Sequence, residues 1–246
     1  MKRSLVAGVV LTCVLAGSAM AADFPTKVHR PSPEFFSWSG FYIGAHLGYG
    51  LSSNDWKVDD GTGTTFNIGA GAINGAIGGA QAGINWQTGP VVLGVEADFS
   101  LADMSGETCN FTLAGSFLCS SKVERFGTIT GRIGGAFDRS LLYLKAGGAW
   151  VHDTHTLGIV FGIKDEATTS KTKWGWTGGA GVEYAMTHNW SAKLEYDFLL
   201  FGTERYTFAF PVLQPSIDTD IKQRIHAVKL GFNYRFDWSS PVFAKY

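Results

Sequence analysis

The sequence predicts an all-β fold, an eight-stranded antiparallel transmembrane β-barrel with long external loops and short periplasmic turns. Three observations carry this: strands with one apolar and one polar face, connections that alternate long and short, and a leader that marks the chain for export. The clearest strand is Val228 to Phe236. Val228, Leu230, Phe232, Tyr234 and Phe236 share one side of it, and Lys229, Gly231, Asn233 and Arg235 share the other, because side chains on a strand alternate with a period of two.

The leader comes first in the chain. Lys2 and Arg3 precede an apolar run from Leu5 to Ala16 and the small-residue site Ala19-Met20-Ala21, which together match a secretory signal peptide over residues 1–21. The run is too short for a membrane-spanning helix. Cys13 follows Thr12 inside the apolar run, where a lipoprotein leader would have a small Gly, Ala or Ser before the cysteine, so it reads as part of the discarded leader. Residues 22–37 hold Pro25, Pro31 and Pro33 without periodicity and read as a flexible N-terminal segment. The barrel is expected over 38–236, and 237–246 as a tail on the periplasmic side.

Composition narrows the class. Glycine accounts for 32 of the 246 residues, aromatics for 14% and charged residues for only 17%, a balance that suits short alternating strands. No apolar run of helix-spanning length follows the leader. Without Lys2 and Arg3 the chain has 18 basic and 21 acidic residues, a net charge of −3, so no nucleic-acid partner is indicated.

Eight strands are expected at about 38–50, 78–87, 91–101, 122–137, 140–151, 173–186, 190–200 and 221–236. Between them the connections alternate: 51–77, 102–121, 152–172 and 201–220 are long, while Thr88-Gly89-Pro90, Asp138-Arg139 and Thr187-His188-Asn189 are short. Outer-membrane barrels have this asymmetry, with short turns in the periplasm and longer loops outside.

The faces decide between a soluble and a membrane barrel. One phase carries Phe41, Ile43, Leu47 and Tyr49 on the first strand, Leu142 and Leu144 on the fifth, and Trp190, Leu194, Tyr196 and Phe198 on the seventh, with no charge interrupting it. The opposite phase carries Glu96, Asp98, Arg132, Lys145, Glu183, Lys193, Glu195, Asp197, Lys229 and Arg235, five acids and five bases. An apolar outer face with Trp and Tyr near the strand ends suits a bilayer. An eight-stranded lumen has room mainly for side chains, so the ten charges are expected to pair there, since an unpaired buried charge costs several kcal/mol (order of magnitude). The sheet must also close its first strand on its last, because lipid offers edges no hydrogen bonds.

Several motifs go beyond alternation: Trp38-Ser39-Gly40-Phe41-Tyr42-Ile43-Gly44 at the first strand, Phe126-Gly127-Thr128, Gly131-Arg132-Ile133-Gly134 and Ala136-Phe137-Asp138-Arg139 at the fourth, and Leu142-Tyr143 with Gly147-Gly148-Ala149 at the fifth. With these the chain resembles a known family, the small alphaproteobacterial outer-membrane β-barrel proteins, porin-like and related to opacity-type surface antigens and to hemin-binding proteins. The end of the last strand also looks like the signal read by barrel-assembly machinery: Lys229, Gly231, Tyr234 and Phe236. The chain departs from the simplest form of that signal by running on to Tyr246.

Little else in the sequence points to chemistry. Cys109 and Cys119 remain after leader removal, and an even pair in an oxidising compartment favours a disulfide over two free thiols. His152 and His155 suggest a metal or hemin pair, but a spacing of three on an extended strand sends them to opposite faces, so both are expected to be exposed loop residues. Asp55, Asp59 and Asp60 lack the glycine and glutamate of a calcium loop. Phosphate-loop, Gly-x-Ser-x-Gly and His-Glu-x-x-His motifs are absent. No catalytic, cofactor or metal site is therefore expected. The leading function is a structural, surface-antigen barrel of the outer membrane whose partners are its lipids and, during biogenesis, the assembly machinery. A small-solute porin and a loop-borne adhesin or hemin receptor are the alternatives. Any loop ligand is not legible.

Overall fold

The structure, a computed structural model, describes residues 36–59, 65–112, 116–160, 164–208 and 217–236. The expected leader, most of the N-terminal segment, the C-terminal tail, Cys13 and Asp60 lie outside the described residues. Eight strands follow one another: β1 Gly40–Asp59, β2 Thr65–Thr88, β3 Val91–Thr112, β4 Ser116–Phe137, β5 Ser140–Val160, β6 Lys164–Ala185, β7 Trp190–Phe208 and β8 Ile217–Arg235. Each pairs antiparallel with the next, and β1 pairs with β8 from Tyr42↔Arg235 to Val58↔Thr219, which closes the barrel. The expected closure of first strand on last is met.

At one end the strands are joined by tight turns. Gly89 and Asp138 sit there at φ of 59° and 52°, a left-handed conformation that glycine adopts freely and aspartate tolerates. The amide of Ala136 donates to Pro90 O at 2.7 Å and that of Ala185 to Arg139 O at 2.8 Å, tying neighbouring turns together.

The other end departs from expectation. The segments read as long loops are mostly strand: β2 begins at Thr65 rather than near 78, and β8 begins at Ile217 rather than near 221. The reason lies in an exchange of faces. Toward the turn end, β8 points Val228, Leu230 and Phe232 outward and Lys229 inward; toward the loop end it points Ile221, Ile225 and Ala227 inward and Lys222 and Arg224 outward. On β7, Leu194 and Tyr196 face out while Leu199, Phe201, Tyr206 and Phe208 are buried. A search for one continuous apolar face stops where the apolar face changes sides.

Two apolar layers lie inside the barrel. Near the turn end, Trp38, Val92, Leu141, Tyr143 and Ala185 pack together with Phe36 and Ala136 against them. Above the middle, Ile73, Ile77, Met104, Val123, Phe126, Val151, Leu199, Phe201 and Ile225 form a second layer. Pairing between β6 and β7 extends only from Ala185↔Ser191 to Gly175↔Phe201, and above it the Lys171 ammonium donates to Arg205 O at 2.6 Å.

Candidate functional site

Between the two apolar layers the inward phases of six strands converge on one charged network. β3 supplies Glu96 and Asp98, β4 Arg132, β5 Lys145, β6 Glu183, β7 Lys193, Glu195 and Asp197, and β8 Lys229, all buried. Lys145 is its hub, with Nζ 2.8 Å from Glu195, 3.3 Å from Glu96, 3.3 Å from Asp197 and 3.6 Å from Asp98. Lys193 reaches Glu96 at 3.1 Å and Glu195 at 3.2 Å. Lys229 bridges Asp98 at 3.0 Å and Asp197 at 2.9 Å. Arg132 lies 3.4 Å from Glu183 and 3.6 Å from Glu96. Each of these cations thus faces at least two carboxylates, the geometry a low-dielectric interior demands.

Neutral groups that the charge pattern did not single out complete the network. Tyr42 donates to Glu96 at 2.7 Å and Tyr143 to Glu195 at 2.6 Å, and the Arg132 guanidinium lies 4.7 and 5.0 Å from their ring centres. Thr128 donates to Asp98. Asn233 donates to Glu183 at 2.8 Å, and Gln81 to Asn233 at 2.7 Å. Both tyrosines stand over glycines on the next strand: a Cβ on Gly83 would come within 2.3 Å of the Tyr42 hydroxyl, and one on Gly181 within 2.5 Å of the Tyr143 ring. The signal that could have found them is their phase, shared with Lys145 and Asn233 rather than with the apolar side.

Arg235, the tenth expected member, sits lower. Its guanidinium donates to His188 O and lies 4.2 Å from the centre of the Phe36 ring and 5.6 Å from that of Trp38, at the turn-end mouth. On the outside, Phe236 stacks on Phe41 at 5.6 Å, while Tyr234 meets Trp190 edge-on at 5.2 Å. Leu47, Trp86, Leu101, Ile133, Leu144, Trp176 and Leu230 are each more than half exposed on the same surface. A charged, filled lumen inside an apolar coat with aromatics at its edge is the arrangement of a barrel immersed in lipid.

Residues 9–236 match the model of the outer membrane protein beta-barrel domain. The chain belongs to that family. It is similar to the 31 kDa outer-membrane immunogenic protein of Brucella melitensis, 33% identical, with 92% of this chain and 97% of that protein covered. It is also similar to the 22 kDa outer membrane protein of Rhizobium leguminosarum bv. viciae, 30% identical over 81% of this chain and 79% of that protein. Among solved structures, the outer membrane protease OmpT from Escherichia coli superposes with a TM-score of 0.50 at 11% identity, covering 80% of this chain and 97% of that one; this likeness shows the fold alone. The protein is an integral outer-membrane β-barrel, as the sequence led us to expect, with its turns on the periplasmic side and its loop end outside.

As an outer-membrane barrel it carries a second buried polar group, in the external half. Asp153 accepts from Tyr206 at 3.0 Å and lies 2.8 Å from the Lys173 ammonium and 3.2 Å from His155 Nε2; His155 Nδ1 is 2.9 Å from Ser121 Oγ. His155 was expected to be an exposed loop residue and is instead fully buried, because the strand continues past Trp150 and directs it inward. His152 does fall on the opposite face, where it meets Thr172 Oγ1 at 3.0 Å. No group of three or more metal-ligating side chains is present among the described residues. The β3–β4 register sets Cys109 opposite Cys119, and Cys119 is disulfide-bonded.

Proposed function

We propose that this protein is a sealed barrel that stabilises the outer membrane and presents its loop end as a surface antigen, without passing solutes and without catalysis. The observation that supports it is the layered lumen: an apolar layer with Trp38 near the periplasmic mouth, the ion-pair network above it, and the Ile73–Phe126–Phe201 layer above that. An eight-stranded barrel has little space beyond its own side chains. The immunogenic character named for the Brucella relative fits a barrel wall that continues as strand well beyond the lipid. Single-channel recording on refolded protein in a planar bilayer, with a heat-shift gel confirming the fold, tests this reading. Silence from folded protein is expected; steady openings would replace it with the porin reading.

Outer-membrane lipids are the permanent partners in this reading and barrel-assembly machinery the transient one, recognising Lys229, Gly231, Tyr234 and Phe236. Replacing Tyr234 and Phe236 by Ser is expected to lower the outer-membrane yield, measured by fractionation and blotting. Unchanged yield would show that the terminal aromatics serve the membrane interface only.

A further inference from the structure

Inside the barrel every cation of the network has carboxylates within 3.6 Å. On the external part of the outer wall the reverse holds for several cations, Lys122 and Arg125 on β4 and Lys222 and Arg224 on β8 among them. Lys222 and Arg224 lie on the outward phase of β8, and among the described residues neither has a hydrogen-bond or ion-pair partner. The acids nearby do not neutralise them: Asp220 is taken by Arg205 at 3.2 Å, and Asp55, directly across from Lys222, makes no ion pair with it.

These two cations stand where the apolar coat ends. Arg224 is paired in register with Leu200 on β7 and Ser53 on β1, and Lys222 with Thr203 and Asp55. Two residues below Arg224, His226 accepts or donates a 2.7 Å hydrogen bond with the Tyr196 hydroxyl and packs on Phe198, with ring centres 4.9 Å apart. Below that, Val228 and Leu230 are exposed beside Tyr49 and Leu47 of β1 and Tyr196 and Leu194 of β7. Read down one strand, the order is cation, cation, aromatic-supported imidazole, then aliphatic wall. At about 3.4 Å per residue, Lys222 and Arg224 are roughly 7 Å apart along the strand, close enough for one phosphate to sit between their flexible heads.

We propose that the outer wall of β7, β8 and β1 is a binding site for a phosphorylated lipid of the external leaflet. Its phosphate sits on Arg224 and Lys222 and its acyl chains lie along Val228, Leu230 and Leu47. A guanidinium offers a phosphate two parallel N–H donors, and both stems can lie along the wall while their heads reach the headgroup layer. A free phosphate would meet the same two cations but gain nothing from the aliphatic wall below them, which is why a lipid is the occupant the surface favours.

The test uses the full chain refolded in detergent micelles and native mass spectrometry with diphosphoryl lipid A as the probe, dephosphorylated lipid A as its counterpart, and inorganic phosphate as competitor. Both side chains are solvent-facing, so the Lys222→Gln, Arg224→Gln double variant is expected to keep its heat-shift behaviour. It should bind diphosphoryl lipid A about 30-fold more weakly, from roughly 1 kcal/mol per surface cation, and wild type should bind the dephosphorylated lipid equally poorly. A second double variant, Lys122→Gln with Arg125→Gln, removes two exposed cations of β4 and should leave binding within two-fold. Wild-type affinity in the first variant, or an equal loss in the second, would overturn the site. Complete displacement by millimolar phosphate would overturn the lipid assignment in favour of a free anion.

Discussion

The membrane half and the external half of this barrel are built from the same eight strands with their chemistry turned inside out. Around Lys145 the interior is ionic and the exterior aliphatic; around Phe126 and Phe201 the interior is apolar and the exterior carries Thr203, Lys222 and Arg224. On β8 the strand geometry does not reverse between them, since its odd-numbered residues stay inside from Thr219 to Arg235. What changes is the solvent. Lipid rewards apolar atoms on the outer face and leaves the lumen to polar groups that satisfy one another, whereas water outside restores the ordinary soluble pattern with the apolar residues buried. On β7 and β8 the position where the exchange occurs therefore marks the external surface of the bilayer.

The comparison is broken most severely at the hub of the ionic half. Lys145→Met is close in volume but leaves Glu96, Asp98, Glu195 and Asp197 without the cation that lies within 3.6 Å of each. Removing one partner of a buried ion pair costs about 3–5 kcal/mol, and the expected result is a loss of that order in urea unfolding followed by the heat-shift gel. A loss below about 1 kcal/mol would mean that water reaches the network and screens it.

In the external half the comparable experiment is a cavity. Met104 is fully buried in the second apolar layer, so Met104→Ala is expected to cost about 2–5 kcal/mol, as in the core of a soluble protein. Raising ionic strength is expected to leave the Met104→Ala deficit unchanged, because no charge is involved.

The sequence displayed the membrane half well and the external half poorly, and the exchange of faces explains both. Leu142, Leu144 and Lys145 alternate cleanly, so strand, phase and lumen charge could all be read from them. Past Trp150 the outward residues are His152, Thr154 and Thr156, none of them apolar, and a strand defined by its greasy outer face ends there even though Val151 and Leu157 continue inward, buried. His155 was misplaced for the same reason. The bulges add to the difficulty: register shifts between Val123 and Arg125 and between Phe201 and Thr203 change which residues face inward part-way along β4 and β7, so no fixed parity follows either strand to its end. The Tyr42 and Tyr143 hydroxyls, by contrast, were legible in principle, since a tyrosine in the charged phase needs a partner for its O–H.

The smallest effect comes from the outer wall and depends most directly on where the bilayer lies. Leu230 faces outward in the middle of the apolar coat, paired with Leu47 and Leu194, and is 54% exposed. Thr203 also faces outward and is exposed, but lies beyond the end of that coat, opposite Lys222. By accessibility alone the two positions are alike, and a soluble protein would tolerate arginine at either. In lipid, Leu230→Arg puts a guanidinium near the midplane at a cost of about 2–4 kcal/mol, while Thr203→Arg meets headgroups or water and should stay within about 0.5 kcal/mol of wild type. Equilibrium folding into vesicles measures both, and repeating it in thinner bilayers sharpens the result: the Leu230→Arg penalty should shrink as the hydrocarbon thins, because the arginine reaches the interface sooner. Equal small costs at the two positions would place the bilayer surface lower on β8 than the exchange of faces does, and would remove Arg224 from the headgroup layer with it.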